Sequence, residues 1–202
     1  DLVILPGTKN TMEDLLWLRQ NGLEAAALKL AHAGTPILGV CGGYQMLGQT
    51  LDDPQGTESG RPMALSGLGL LPTRTVFDAQ KRRMQVRAAA QGELFGGARL
   101  TGYEIHNGRT EVGGAPFCVL EDGTPEGCVN RNVFGTYLHG LFDSGELTGA
   151  LVRMLCARKG ISPTQTQLMS MADYRQQQFD LLADGVRQAL DMGAVYRAIN
   201  MA

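Results

Sequence analysis

The 202 residues, 44% hydrophobic and 19% charged, are enough for one good core with an appended helical segment, so one main domain is expected. Eighteen Lys and Arg against 20 Asp and Glu leave a net charge of −2, which gives no electrostatic basis for binding nucleic acid or an anionic membrane surface. No apolar run reaches membrane-spanning length, and Cys41, Cys118, Cys128 and Cys156 form no C-x-x-C pair, so a reducing cytoplasm is expected and a structural zinc site is not.

Asp1 leads straight into Leu2-Val3-Ile4-Leu5, a buried-strand pattern closed by Pro6-Gly7, and the chain is therefore read as a piece of a longer protein. Thr11 and Asp14 are spaced as a helix-start box ahead of Leu15, Leu16 and Leu18, which predicts a helix to about Gln20. A second helix is expected from Leu23 to Ala33, stopped by Gly34-Thr35-Pro36. Ile37 to Val40 then reads as a buried strand, Cys41 follows, and Gly42-Gly43 leads into a helix from about Tyr44. Strand, helix, strand, turn, helix implies a parallel sheet with right-handed crossovers, whose loops at Gly7 and Cys41 share one edge.

Residues 52 to 62 read as a polar loop. Short β-type runs follow at Leu68 to Leu71, Thr75 to Phe77, Met84 to Ala88, Leu100 to Ile105, Phe117 to Leu120 and Cys128-Val129, which predicts a largely antiparallel middle part. Val133 to Leu138 is one more strand, ending at His139-Gly140, and Glu146 to Arg158 is an amphipathic helix. The main domain closes near residue 160. From 161 to 202 the pattern changes: Ile161 to Ser170 is poor in bulky apolar residues, then Phe179, Leu182, Val186 and Leu190 recur as one helix face, expected to pack back on the core.

The stretch Ile37 to Leu47 holds the chemistry. It puts one thiol on a strand-to-helix turn, where the free N–H groups and positive dipole end of the helix favour a thiolate. A fall in pKa from about 8.5 to about 6 would raise the thiolate fraction at neutral pH roughly thirtyfold, about 2 kcal/mol. Cys41 is a nucleophile candidate on these grounds alone, although a lone cysteine after an apolar strand is more often a small buried hydrophobe.

Gly39-Val40-Cys41-Gly42-Gly43-Tyr44-Gln45 resembles the nucleophile motif of the class I, or triad-type, glutamine amidotransferases. DLVILPGTKNTMEDLLWLR at the start, GYEIH over Gly102 to His106 and GTYLHGLF over Gly135 to Phe142 are similar to the amidotransferase domains of the cobyric acid synthase family. The resemblance implies an α/β, flavodoxin-like fold, with a mixed, mainly parallel sheet and helices on both faces. An earlier strand of that fold is expected to be cut off, and a helical tail to follow. It implies residues 1–160 as the glutaminase domain and 161–202 as its extension.

By this resemblance Cys41 attacks the side-chain amide of L-glutamine and His139 is the base. The backbone N–H of Gly42, and one near Gly7, would form the oxyanion hole; losing one such donor typically costs about 2.7–4 kcal/mol of transition-state stabilisation. Gln45 matches a family residue that helps hold the substrate. Each has a plain rival: a strand-end histidine satisfied by backbone, ordinary turn glycines, a solvated helix glutamine. His32 reads as a surface residue near a helix end. Typical triad enzymes carry Pro-Glu after the histidine, but Gly140-Leu141 stands here, so a dyad, or an acid recruited from elsewhere such as Glu104 or Asp143, must orient His139. Glu104 and His106 read more readily as structural or interface residues.

No G-x-x-x-x-G-K-[ST] phosphate loop occurs, so this chain has no visible ATP site. The resemblance places ATP and Mg2+ in an N-terminal synthetase domain that amidates carboxylates of adenosylcobyrinic acid a,c-diamide, a corrinoid, with ammonia from Cys41. Alternatives are an amidotransferase subunit of a peptidoglycan-amidating ligase, a catalytically silent docking domain, and a cysteine hydrolase of the same architecture. GYEIH and TYLHGLF favour the corrinoid branch over the first; the set Cys41, Gln45 and His139 argues against the others.

Overall fold

A computed structural model describes residues 1–92, 95–143, 145–162, 169 and 171–200. Strand β1 (Val3–Leu5) is followed by helices α1 (Thr11–Gln20) and α2 (Leu23–His32), strand β2 (Ile37–Val40) and helix α3 (Gly42–Leu47). Strands β3 (Thr50–Asp53), β4 (Met63–Ser66), β5 (Thr73–Ala90), β6 (Arg99–Val112), β7 (Cys118–Leu120), β8 (Pro125–Glu126) and β9 (Cys128–Asn130) come next. β10 (Val133–Thr136), β11 (Leu138–His139), a 3-10 turn, and helices α4 (Gly145–Arg158), α5 (Met171–Ala189) and α6 (Met192–Asn200) complete the order.

The first sheet runs β1-β2-β10-β9, with β1, β2 and β10 parallel and β9 antiparallel. Period-2 alternation gives it two buried faces. Ile37 and Val133 pack with Met12, Leu15, Ala27 and Leu47 of α1, α2 and α3. Their neighbours Leu38 and Phe134 pack with Leu147, Ala150 and Leu151 of α4. Helices thus cover both faces. The second sheet, β11-β6-β5-β3-β4 with β7 and β8 attached, is mainly antiparallel, as expected for the middle of the chain.

Several boundaries differ from expectation. The cap of α1 is Asn10, whose side chain accepts from the Glu13 N–H at 3.1 Å, one residue before the expected Thr11. Leu68 to Leu71 is not a strand. Its Leu68 and Leu71 N–H groups donate to Met46 and Leu47 carbonyls at the end of α3, and both side chains are buried there, so an apolar run is used as a packed loop. Thr75 to Phe77 and Met84 to Ala88 are one long strand, joined across an irregularity between Val76 and Lys81.

The tail is helical, but its apolar face is not covered. α5 meets the core near its first turn, where Arg175 pairs with Asp143 at 3.7 Å. Phe179, Leu182, Val186 and Leu190 remain 41–65% exposed, in contrast to the expected packing. Helical periodicity shows that a face exists but not what it meets. Most of Ile161 to Ser170 lies outside the described residues.

Gly43 is where sequence and packing meet most tightly. A Cβ there would run into the backbone carbonyl of Leu5 on β1, so only glycine lets α3 start this close to the sheet. Gly43→Ala is expected to destabilise the fold by about 1–3 kcal/mol, read as a lower urea midpoint at unchanged slope.

Candidate active site

β2 ends at Val40, and Cys41 takes φ 54° and ψ −112°, a strained left-handed conformation for a non-glycine residue. Its N–H donates to the Thr136 carbonyl at 2.8 Å and its carbonyl accepts from Gln45 N at 3.0 Å, which fixes the turn between β10 and α3. The thiol is buried, with Sγ 3.4 Å from the Ile105 carbonyl.

Burial pushes the Cys41 thiol up from its ordinary value, the Gly42 N–H pulls it down and the charge of Glu58 pushes it up again, for a net rise. The expected low pKa is therefore corrected. α3 has six residues and the sulfur is largely out of water, so desolvation outweighs the helix end. A resting thiol needs a base.

His139 is the candidate base. The sequence predicts one continuous strand from Val133 to Leu138 running into His139. Instead the chain leaves the first sheet at Thr136 and joins the second as β11, where His139 pairs with Tyr103 of β6. Buried Glu126 holds this crossing, accepting from Tyr137 N and Thr136 Oγ1, both at 2.6 Å; burial pushes its carboxyl up to about 7. The two sheets bring the candidate residues together at Gly7. A Cβ on Gly7 would lie 3.3 Å from His139 Cε1 and 3.4 Å from Cys41 Cβ. Cys41, His139, Gly7 and Gln45 line one cavity of about 640 Å³.

Burial lowers the His139 pKa, and the Ile105 carbonyl raises it by a smaller amount. Its ring stacks parallel to Tyr103, with centroids 5.1 Å apart and 5° between planes. Nε2 is buried without a hydrogen-bond partner. The orienting groups present are thus a backbone carbonyl and an aromatic face.

Neither acid weighed from the sequence takes that place. Glu104 is adjacent to Tyr103 on β6 and so lies on the other side of the strand, where it meets Arg82 Nε at 2.5 Å and His106 Nε2 at 4.0 Å. Asp143 pairs with Arg175. His106 stacks on Tyr137 at 3.7 Å, and burial together with Arg82 pushes its pKa down to about 4, so it is neutral.

Gly42 is the first residue of α3, whose leading N–H groups have no partner within the helix. The position of a Gly42 Cβ lies 3.1 Å from Thr8 N, so the backbone after β1 runs close beside the start of α3. Gln45 lines the cavity, but its amide is engaged: Oε1 accepts from Thr11 Oγ1 at 3.0 Å, and Nε2 donates to Asn107 O at 3.2 Å and Tyr137 Oη at 3.1 Å. It ties together Thr11 of α1, Asn107 of β6 and Tyr137 at the edge of the cavity.

Sequence reasoning missed Glu58. Buried Asp53 accepts from the N–H groups of Thr57, Glu58 and Ser59 at 2.8–2.9 Å, which curls the polar loop back. The curl seats Glu58 against the Thr11 N–H at 2.7 Å and makes it the one carboxylate lining this cavity among the described residues. A loop has no periodicity to announce such a position.

Class I glutamine amidotransferase architecture is what this sheet arrangement and the cysteine turn define. Two solved structures share the fold: one titled a glutamine amidotransferase (TM-score 0.53, 16% identity, 79% of each chain), and PurLQS from Thermotoga maritima (TM-score 0.54, 18% identity, 76% of this chain and 79% of that one). The chain belongs to the CobB/CobQ-like glutamine amidotransferase domain family, whose model matches residues 1–147. It is 43% identical to cobyric acid synthase of Streptococcus sanguinis over 99% of its length, and 46% identical to that of Salmonella typhimurium over 97%. It spans only 41% and 40% of those proteins. No described helix is long and apolar enough to cross a membrane.

Proposed function

We propose that this chain hydrolyses glutamine to supply ammonia, with Cys41 as nucleophile and His139 as base. The observation that carries the proposal is the convergence of both side chains on Gly7 in one cavity. His139 takes the thiol proton as sulfur attacks the amide carbon, and the Gly42 and Thr8 N–H groups stabilise the oxyanion. The C–N bond breaks, His139 returns the proton to nitrogen and ammonia leaves, with a γ-glutamyl thioester on Cys41. Water, deprotonated by His139, then cleaves the thioester; the C–S bond breaks, glutamate departs and the sulfur regains its proton. The net change is glutamine plus water to glutamate plus ammonia.

Glu58 suits the α-ammonium group of the substrate, with Lys9 and Lys81 on the same walls for its α-carboxylate. Glu58→Gln keeps the acceptor for Thr11 N–H but removes the charge. It is expected to raise KM for glutamine about tenfold and leave kcat within about threefold, measured by steady-state glutamate release.

The identity to cobyric acid synthases supports a further assignment: the ammonia serves ATP-dependent amidation of carboxylates on adenosylcobyrinic acid a,c-diamide. ATP, Mg2+ and the corrinoid belong to a synthetase domain N-terminal to residues 1–160, and the glutaminase half itself uses no cofactor. Four free cysteines fit a cytoplasmic setting. The purified chain is expected to release ammonia from glutamine weakly and to make no amide with ATP and the diamide. ATP-dependent amidation by these 202 residues alone would overturn the division of labour.

A further inference from the structure

α5 runs 19 residues, about 28 Å at 1.5 Å per residue, and none of its described residues is buried. It nevertheless carries a continuous apolar face. Phe179, Leu182 and Val186 recur at three and four residues, Leu190 follows just past the helix end, and all four stand exposed. A contiguous row of large apolar side chains in water marks an interaction surface.

Arg175 lies four residues before Phe179 and seven before Leu182, so it belongs to the same face. Its ion pair with Asp143 fixes that face where the helix leaves the core. A groove of about 570 Å³, with Tyr103, Asp143 and Arg175 in its walls, opens at this contact. The apolar face continues outward from that groove.

Two observations say what covers it. The glutaminase family model stops ahead of the tail, whereas the match to cobyric acid synthases takes in almost the whole chain, α5 included, and leaves more than half of each synthase outside it. The tail thus accompanies the synthases and lies beyond the part that defines the glutaminase family. Moreover, Lys159 Nζ is 2.7 Å from Asp1 Oδ2, so a domain joined ahead of Asp1 enters beside the end of α4, where the tail departs.

We propose that the apolar face of α5 docks on the synthetase domain N-terminal to residue 1, which covers Phe179, Leu182 and Val186 in the full-length protein. The name of the occupant rests on the proposed synthetase reading; the interface itself does not. A second copy of this chain is the competing occupant, but it gives no reason for the tail to accompany a synthetase. Seated on this face, the domain also borders Tyr103, whose ring stacks on His139, so docking sets the ammonia-using half at the edge of the glutamine site.

The test uses the full-length protein with photoreactive benzoylphenylalanine in place of Phe179. Irradiation is expected to cross-link that position, within one chain, to a peptide upstream of Asp1, mapped by mass spectrometry. In hydrogen exchange on the full-length protein, Phe179→Ala combined with Leu182→Ala should make the α5 amides exchange about tenfold faster or more; alanine keeps the helix propensity, so the change reports lost contact. No cross-link upstream of Asp1, cross-links between two copies, or unchanged α5 exchange in the double variant would each overturn the proposal. Neither readout uses glutamine. A full-length protein that docks in this way yet makes no amide, even from added ammonia, would overturn the synthetase reading and leave the interface standing.

Discussion

Cys41→Ser is expected to lower glutamine hydrolysis by a factor on the order of 10⁴ or more while leaving the fold within about 0.5 kcal/mol of wild type. A serine hydroxyl preserves the shape of the turn and tolerates its φ of 54° as well as a thiol does. What it lacks is acidity. Burial already lifts the Cys41 thiol above its ordinary pKa, and a hydroxyl several units less acidic would ask His139 for a proton transfer it cannot drive. Substrate binding should persist, because Glu58, Lys9 and Lys81 lie on other walls of the cavity. Thermal unfolding and glutamine binding of the variant, measured beside its turnover, separate lost chemistry from lost structure.

His139→Asn should lower kcat by about 10²–10⁴, the range for losing a general acid–base, with the fold retained. The same base sets the pH dependence. His139 accepts the thiol proton only when neutral, and its pKa is lowered from 6.5 by burial. Activity is therefore held through neutral pH and falls as acid protonates the imidazole, with the acid limb of kcat/KM below 6.5. In the Asn variant that limb should vanish. A triad with a carboxylate beside the imidazole would move the limb the other way, because a negative neighbour raises a histidine pKa. Here Glu104 faces Arg82 and Asp143 faces Arg175, so the low limb is the signature of a dyad oriented by Ile105 and Tyr103.

Much of this site is readable from residues alone. The turn at Cys41 is legible because an apolar run, a thiol and two glycines leave one local geometry, and a Cβ at Gly43 would strike β1. His139 is legible through its motif. The protonation state of Cys41 is not, because it depends on how much protein covers the sulfur, and the covering strand β6 is over 60 residues away in sequence. From the sequence Glu104 is only one of two acids open to the role of orienting His139; the pairing of β6 with β11 does bring it near His139, but strand alternation turns it to the far side. The hydrogen bonds of Gln45 are not legible in the sequence, because its partners Thr11, Asn107 and Tyr137 come from three distant segments that no local pattern connects. The helix of the tail follows from its periodicity, whereas its exposed face shows that amphipathicity alone does not name a partner.

The most direct test is to quench the chain in acid while it turns over saturating glutamine and map covalent adducts by mass spectrometry. A single γ-glutamyl adduct on the peptide carrying Cys41, absent in Cys41→Ser and removed by hydroxylamine, is the predicted result. Ammonia release without an adduct on Cys41, or with the glutamyl group on Cys118, Cys128 or Cys156, would contradict the account.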